Sequence, residues 1–218
     1  MKITIDGPVA SGKTAVGRAL ARRIPARFLD TGMMYRAITW ASIQQQINFD
    51  NQDALAELTK TLNIEVILED GEQILKVDGT DITDELRDPD VELNVSKISQ
   101  VGSVRHELVS QQRAIASTGD IVMVGRDIGT VVIPEADLKI SLDASIQIRA
   151  KRRHDEMRRK GNRIELENLV EEIKTRDNMD SNRKDSPLMS AKDAVIINTD
   201  RLRIDQVVNL ILESIQKS

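Results

Sequence analysis

Gly7-Pro8-Val9-Ala10-Ser11-Gly12-Lys13-Thr14 fills the pattern G-x-x-x-x-G-K-[ST] without a gap. This composition would produce the match by chance in roughly 0.4% of such chains, so an incidental glycine turn with a stray lysine is the weaker reading. The setting agrees. Lys2–Asp6 alternates in strand fashion before it, and a helical pattern follows from Lys13 to about Arg23, with Val16, Leu20 and Ile24 on one face, until Pro25 stops it. Glycines let backbone amides turn inward around phosphate oxygens, and a helix start adds partial positive charge. Gly7 through Ala15 is therefore expected to cradle a nucleoside triphosphate. Lys13 can reach its β- and γ-phosphates, and the Thr14 hydroxyl can serve Mg²⁺.

Working outward, Arg27–Asp30 reads as a short strand and Gly32 to about Gln46 as a helix. Ile121–Val124, Leu138–Leu142 and Ala194–Asn198 are short apolar runs bounded by polar residues or glycine. Such runs, separated by helical stretches, predict an α/β fold: a five-stranded parallel sheet covered by helices on both faces. A helix from about Ile204 to Gln216 closes it. Two stretches break the alternation. Residues 64–87 read as a small antiparallel excursion, Ile64–Leu68, the turn Glu69-Asp70-Gly71, then Ile74–Val77 and Gly79. Residues 149–163 carry eight lysines or arginines in fifteen positions.

Length and composition narrow the function. The 218 residues suggest one enlarged domain. No cysteine is present, which excludes disulfides, thiolate metal sites and a cysteine nucleophile and fits a reducing compartment. No apolar run approaches a membrane span, and the chain reaches a polar turn too soon for a secretory leader. The cytoplasm is expected. A net charge of −4 and only four aromatics, Phe28, Tyr35, Trp40 and Phe49, speak against a nucleic-acid partner.

Three classes use such a loop: switch GTPases, ATP-driven motors and small-molecule kinases. An Asn-Lys-x-Asp guanine reader is missing. Where a motor would carry Walker-B acids, Val122-Met123-Val124 leads into Gly125-Arg126-Asp127. An arginine at a strand's carboxyl end suits a second, phosphorylated substrate. Arg36, in the first turns of the second helix, and Arg105 add to this. Arg176, Asp180 and Arg183, spaced by four and three, are expected on one helical face. Taken singly each arginine reads as solvated surface; together they favour a kinase. The basic stretch then reads as a lid, with Arg149 and Arg153 one turn apart over the triphosphate, rather than as an RNA-binding helix. His106 and His154 carry no expected role.

Leu29–Arg36, Ser96–Arg105, Val124–Val132, Ile148–Arg153 and Glu172–Arg183, together with the phosphate loop, make the chain resemble the bacterial cytidylate kinases among the nucleoside-monophosphate kinases. The resemblance runs from the first strand to about Asp200. It implies a single P-loop kinase unit over 1–218, with a monophosphate-binding insertion at 37–105 and a lid at 149–163. It further implies a monomer that transfers the γ-phosphoryl group of Mg-ATP to CMP or dCMP, with no nucleic acid or membrane involved. Carried over by position, Arg36 and Arg126 would hold the CMP phosphate, with Thr31 and Tyr35 in the same segment. Ser96, Arg105 and Asp127 would read cytosine. Arg176 and Asp180 would meet the ribose, Arg183 would sit near the transferring phosphoryl group, and Lys13, Arg149 and Arg153 would serve ATP.

Cytosine offers an exocyclic amine that a carboxylate accepts, whereas uracil would face Asp127 oxygen to oxygen. The difference is worth about 2–4 kcal/mol. Asp127 as a Mg²⁺-supporting carboxylate is the competing reading, and Asp30 rivals it for that role. Kinases of UMP, dTMP or AMP, and a nucleotide-dependent RNA-binding regulator, remain the alternatives.

Overall fold

The computed structural model describes every residue except 70–71, 160, 162–163 and 217–218. Strands β1 (Lys2–Asp6), β2 (Arg27–Asp30), β6 (Ile121–Gly125), β7 (Leu138–Asp143) and β8 (Val195–Asn198) form one sheet in the order β2-β6-β1-β7-β8. All four pairings are parallel, Ile5 standing opposite Val124 on one side and Ile140 on the other. This is the doubly covered sheet that the apolar runs predict. Alternation divides those runs between two cores. Ile3, Ile5, Phe28, Val122, Val124 and Ile140 pack toward α1 (Lys13–Ala21) and α8 (Ile204–Ile215). Leu29, Ile121 and Met123 pack on the opposite face with residues of α2 (Thr31–Gln44). Gly17 lets α1 lie close on that sheet, because a Cβ there would come within 2.5 Å of Val124 Cγ1.

Between α2 and β6 the chain adds α3 (Gln52–Thr61), the antiparallel strands β3 (Ile64–Glu69), β4 (Glu72–Val77) and β5 (Thr80–Asp81), then α4 (Pro89–Ile98) and α5 (Gly102–Ala116). The hairpin matches the expected excursion, although Asp70 and Gly71 of its turn lie outside the described residues. The two-residue β5 is an addition that the sequence did not announce. After β7, α6 (Ile146–Arg159) carries most of the basic stretch, Lys160 and Arg163 lying outside the described residues, and α7 (Leu166–Asn182) follows. Arg183 corrects the expected helical face. It sits one residue past α7 in extended backbone (φ −64°, ψ 145°), so its approach to Asp180 comes from the helix end and not from helical spacing. No helix among the described residues is long and apolar enough to cross a membrane.

The topology fixes where chemistry can occur. Strand order reverses around β1, and ligands of such sheets bind outside the carboxyl ends of strands at that reversal. The loops leaving β1, β2 and β6 all open there.

Candidate active site

Those loops line a cleft of about 850 Å³, in the upper range for small-molecule sites. Val9–Thr14 of the phosphate loop line its floor, whereas Gly7 and Pro8 of the expected cradle do not face it. Gly7 has φ +150°, and a Cβ there would press to 2.2 Å from Leu142 O, while Gly12 caps α1 in the left-handed region at φ +99°. Arg149 Nη1 donates to Val9 O at 3.2 Å and Arg152 Nη1 to Ser11 O at 3.4 Å. Carbonyls turned outward onto arginines leave the planar peptides' opposite edges for an anion. Lys13 is 7% exposed and its Nζ donates to Pro8 O at 2.6 Å. Burial, reinforced by the nearby Arg126 cation, holds its pKa well below the usual lysine value.

Thr14 Oγ1 donates to Asp30 Oδ2 at 2.7 Å. A hydroxyl beside one carboxylate fits Mg²⁺, which keeps phosphate and water oxygens for most of its coordination. Among the described residues no cluster of three or more His, Cys, Asp or Glu could hold a metal alone. Asp127 stands elsewhere. Its carboxylate is clasped by Arg105 Nη2 and by Arg183 Nη2 at 3.3 Å, all three side chains nearly buried. The Arg105 guanidinium also stacks 5.5 Å from the centre of the Tyr35 ring. Burial pushes the Tyr35 hydroxyl up to about 12, so the ring stays neutral.

Arg126 Nε donates to Asp180 Oδ2 at 2.8 Å, and Arg183 Nη1 lies 3.8 Å from Asp180 Oδ1. Burial alone would raise the Asp180 pKa, but Arg126, Arg176 and Arg183 overcome it and hold the carboxyl below its ordinary value. Arg176 shows the reverse: burial and the like charges of Arg126 and Arg36 bring it down to about 10. The chamber is cation-rich.

Of the residues singled out from sequence, Lys13, Thr14, Ala15, Thr31, Tyr35, Arg36, Arg105, Arg126, Asp127, Arg153, Arg176, Asp180 and Arg183 line this cleft. Thr31 spends its hydroxyl on Val124 O at 3.0 Å. Ser96 lies one turn back on α4, and Ser99 lines the cleft instead, its carbonyl accepting from Arg105 Nη1 at 3.3 Å. Arg149 and Arg153 do not converge: Arg149 is pinned to Val9 and to Asp177 at 2.6 Å, whereas Arg153 reaches Glu92. Sequence reasoning missed Arg152, Glu92 and Gln73. Arg152 lay within the basic stretch, but the other two belonged to no motif.

The sequence matches the cytidylate kinase family profile over residues 3–217. The chain belongs to the cytidylate kinase family. Cytidylate kinases of Geobacillus sp. (strain WCH70) and Bacillus subtilis (strain 168) are each 43% identical, the alignments covering 100% of this chain and 97% of theirs. The cytidylate kinase of Ligilactobacillus salivarius (strain UCC118) is 44% identical, with the same coverage. An uncharacterized protein from Eubacterium ventriosum shares the fold, with a TM-score of 0.55 at 13% identity over 100% of this chain and 99% of its own. Cytidylate kinase membership makes the protein a nucleotide-binding phosphotransferase.

Proposed function

We propose that the cleft transfers the γ-phosphoryl group of ATP to CMP or dCMP, giving ADP and CDP or dCDP, and that the side chains divide the work as follows. The loop amides and Lys13 grip the triphosphate. Thr14 and Asp30 hold Mg²⁺, which when bound neutralises charge on the transferring phosphates. Arg36 and Arg126 hold the acceptor phosphate, Arg176 and Asp180 meet the ribose, and Arg183 stands between base and phosphate. Asp127 accepts from the cytosine amine while Arg105 donates to the ring's acceptors, with Tyr35 packed beneath the guanidinium.

The observation that carries this reading is the Arg105–Asp127–Arg183 clasp: a buried carboxylate fixed by two arginines, beside an arginine-lined chamber and facing a phosphate loop. A phosphate acceptor is already anionic near neutral pH, so no general base is required. Rate comes from alignment and charge neutralisation. Residues 149–163 act as the lid, with Arg152 and Arg153 turned inward onto the loop and the chamber. Those inward contacts also weigh against an RNA-binding role for the stretch. We place the enzyme in the cytoplasm as a monomer acting on free nucleotides, on the support of its cysteine-free composition and of its membership of the cytidylate kinase family.

The test is ADP release from ATP with each monophosphate in turn. Stimulation by CMP and dCMP, with UMP, dTMP and AMP much weaker, is the expected result. Equal stimulation by UMP would overturn the role given to Asp127.

A further inference from the structure

Glu92 is an acidic residue in the middle of a cationic chamber. Arg36 reaches its Oε1 through Nε and Nη2, both at 3.0 Å. Arg153 Nη2 lies 3.2 Å and Arg176 Nη1 4.0 Å from its Oε2. These partners come from α2, α6 and α7, while Glu92 stands on α4, so one carboxylate ties four helices together. Burial alone would raise its pKa, yet the three arginines hold it below the ordinary carboxylate value. Of the other carboxylates lining the cleft, Asp127 is engaged with Arg105 and Arg183, Asp180 with Arg126 and Asp30 with Thr14, while Glu156 shares Arg153 with Glu92, at 3.3 Å from its Nη1.

A carboxylate and a phosphate present oxygens that guanidinium forks bind in the same two-point manner. We propose that Glu92 is an internal anion of the acceptor-phosphate chamber, competing with an incoming phosphate for Arg36 and its neighbours and thereby setting how tightly the chamber takes anions. The inference rests on the acceptor-site reading above. Each guanidinium fork held by Glu92 is one withheld from a bare anion such as orthophosphate. A nucleotide brings base and ribose contacts as well, and can displace the carboxylate where a free ion does so poorly. Glu92 is thus a specificity-determining residue that favours whole nucleotides over inorganic anions.

Sulfate is the probe, measured as thermal stabilisation against sodium chloride at equal ionic strength. Glu92→Gln keeps the shape and removes the charge, so its sulfate midpoint should fall about tenfold relative to the wild type. The KM for CMP should fall by clearly less than about tenfold, so that the preference for CMP over sulfate narrows. Glu92→Asp keeps the charge and should stay within about twofold of the wild type. Loss of stability in Glu92→Gln with no gain in sulfate affinity would reduce Glu92 to a helix tie and overturn the proposal. Should that variant fail to fold, wild-type crystals grown with sulfate decide. Sulfate on Arg36 with the Glu92 carboxylate turned away supports competition, and Glu92 keeping Arg36 beside a bound sulfate refutes it. A gain in sulfate affinity without CMP turnover in either protein would sink the acceptor assignment alone. Normal turnover without the gain would sink the internal anion alone.

Discussion

Gln73 and Asp30 clasp each other through two hydrogen bonds: Asp30 N donates to Gln73 Oε1 at 2.6 Å, and Gln73 Nε2 donates to Asp30 O at 3.3 Å. A side-chain amide from the small antiparallel sheet therefore imitates a neighbouring strand at the edge of β2. Arg18 strengthens the join, lying 3.3 Å from Glu72. The inserted sheet is stitched to the same residue whose side chain meets Thr14. Gln73 is 3% exposed, so Gln73→Ala removes the side-chain acceptor of Asp30 N in a dry site, while Asp30 O, at the cap of α2, keeps its helical bond. A loss of about 1–3 kcal/mol in unfolding free energy is expected, together with a higher Mg²⁺ requirement as Asp30 loosens. Denaturant unfolding and a Mg²⁺ titration of the kinase rate check it. An unchanged titration would separate the clasp from the metal end of the site.

Lys13→Ala should lower kcat by at least two to three orders of magnitude, because it is the single charged side chain of the Gly7–Thr14 loop and so the one cation that the loop itself brings to the transferring phosphates. The fold should persist. A buried ammonium whose pKa is already forced down contributes little stability, and its removal leaves Pro8 O beside water and small ligands. Turnover within tenfold of the wild type would contradict the assignment of the loop.

Asp127→Asn tests base reading against metal support. The CMP-to-UMP ratio of kcat/KM should fall at least tenfold, since an amide can also donate to the uracil carbonyl. The Mg²⁺ dependence should hold, because Thr14 is paired with Asp30 and not with Asp127. A stability cost accompanies it: Arg105 and Arg183 lose their shared counter-ion in a nearly dry setting, and breaking such a pair costs about 3–5 kcal/mol. Selectivity left intact beside a shifted Mg²⁺ requirement would return Asp127 to the metal.

How much of this was legible beforehand follows from the range of each interaction. The loop, the parallel sheet and the arginines after strand ends are written in local spacing, and the apolar runs mark the five strands to within a residue or so. Arg183 misled, because a period of three and four continues on paper past the point where α7 ends. Arg149 and Arg153 misled in the opposite sense: one turn apart, they serve different partners because Asp177 and Glu92 approach α6 from different elements. Glu92 and Gln73 carry no local signature at all. Each acts across a gap of 43 residues or more, and only the packing of the inserted sheet and helices brings Glu92 to the cleft and Gln73 to the backbone of Asp30.

Asp6 gives a pH signature of the fold around the site. Buried at the end of β1, its carboxylate accepts from Ile128 N at 2.8 Å and Gly129 N at 2.7 Å, and so fixes the turn that follows Asp127. Burial outweighs those hydrogen bonds and pushes its pKa from 3.8 up to about 6. Between those values the folded chain holds a proton that the unfolded chain has released. Its contribution to stability is therefore complete below about pH 4 and is lost as pH rises through about 6. Asp180 and Glu92, held below their ordinary values, act in the opposite direction at the acid end, where stability falls as they protonate. Asp6→Asn removes only the first effect. The stability of the wild type relative to this variant should drop by on the order of 2–3 kcal/mol from pH 4 to pH 7, read by denaturant unfolding of both proteins at each pH. A flat difference across that interval would mean that Asp6 is ionised throughout, with the two amides outweighing its burial.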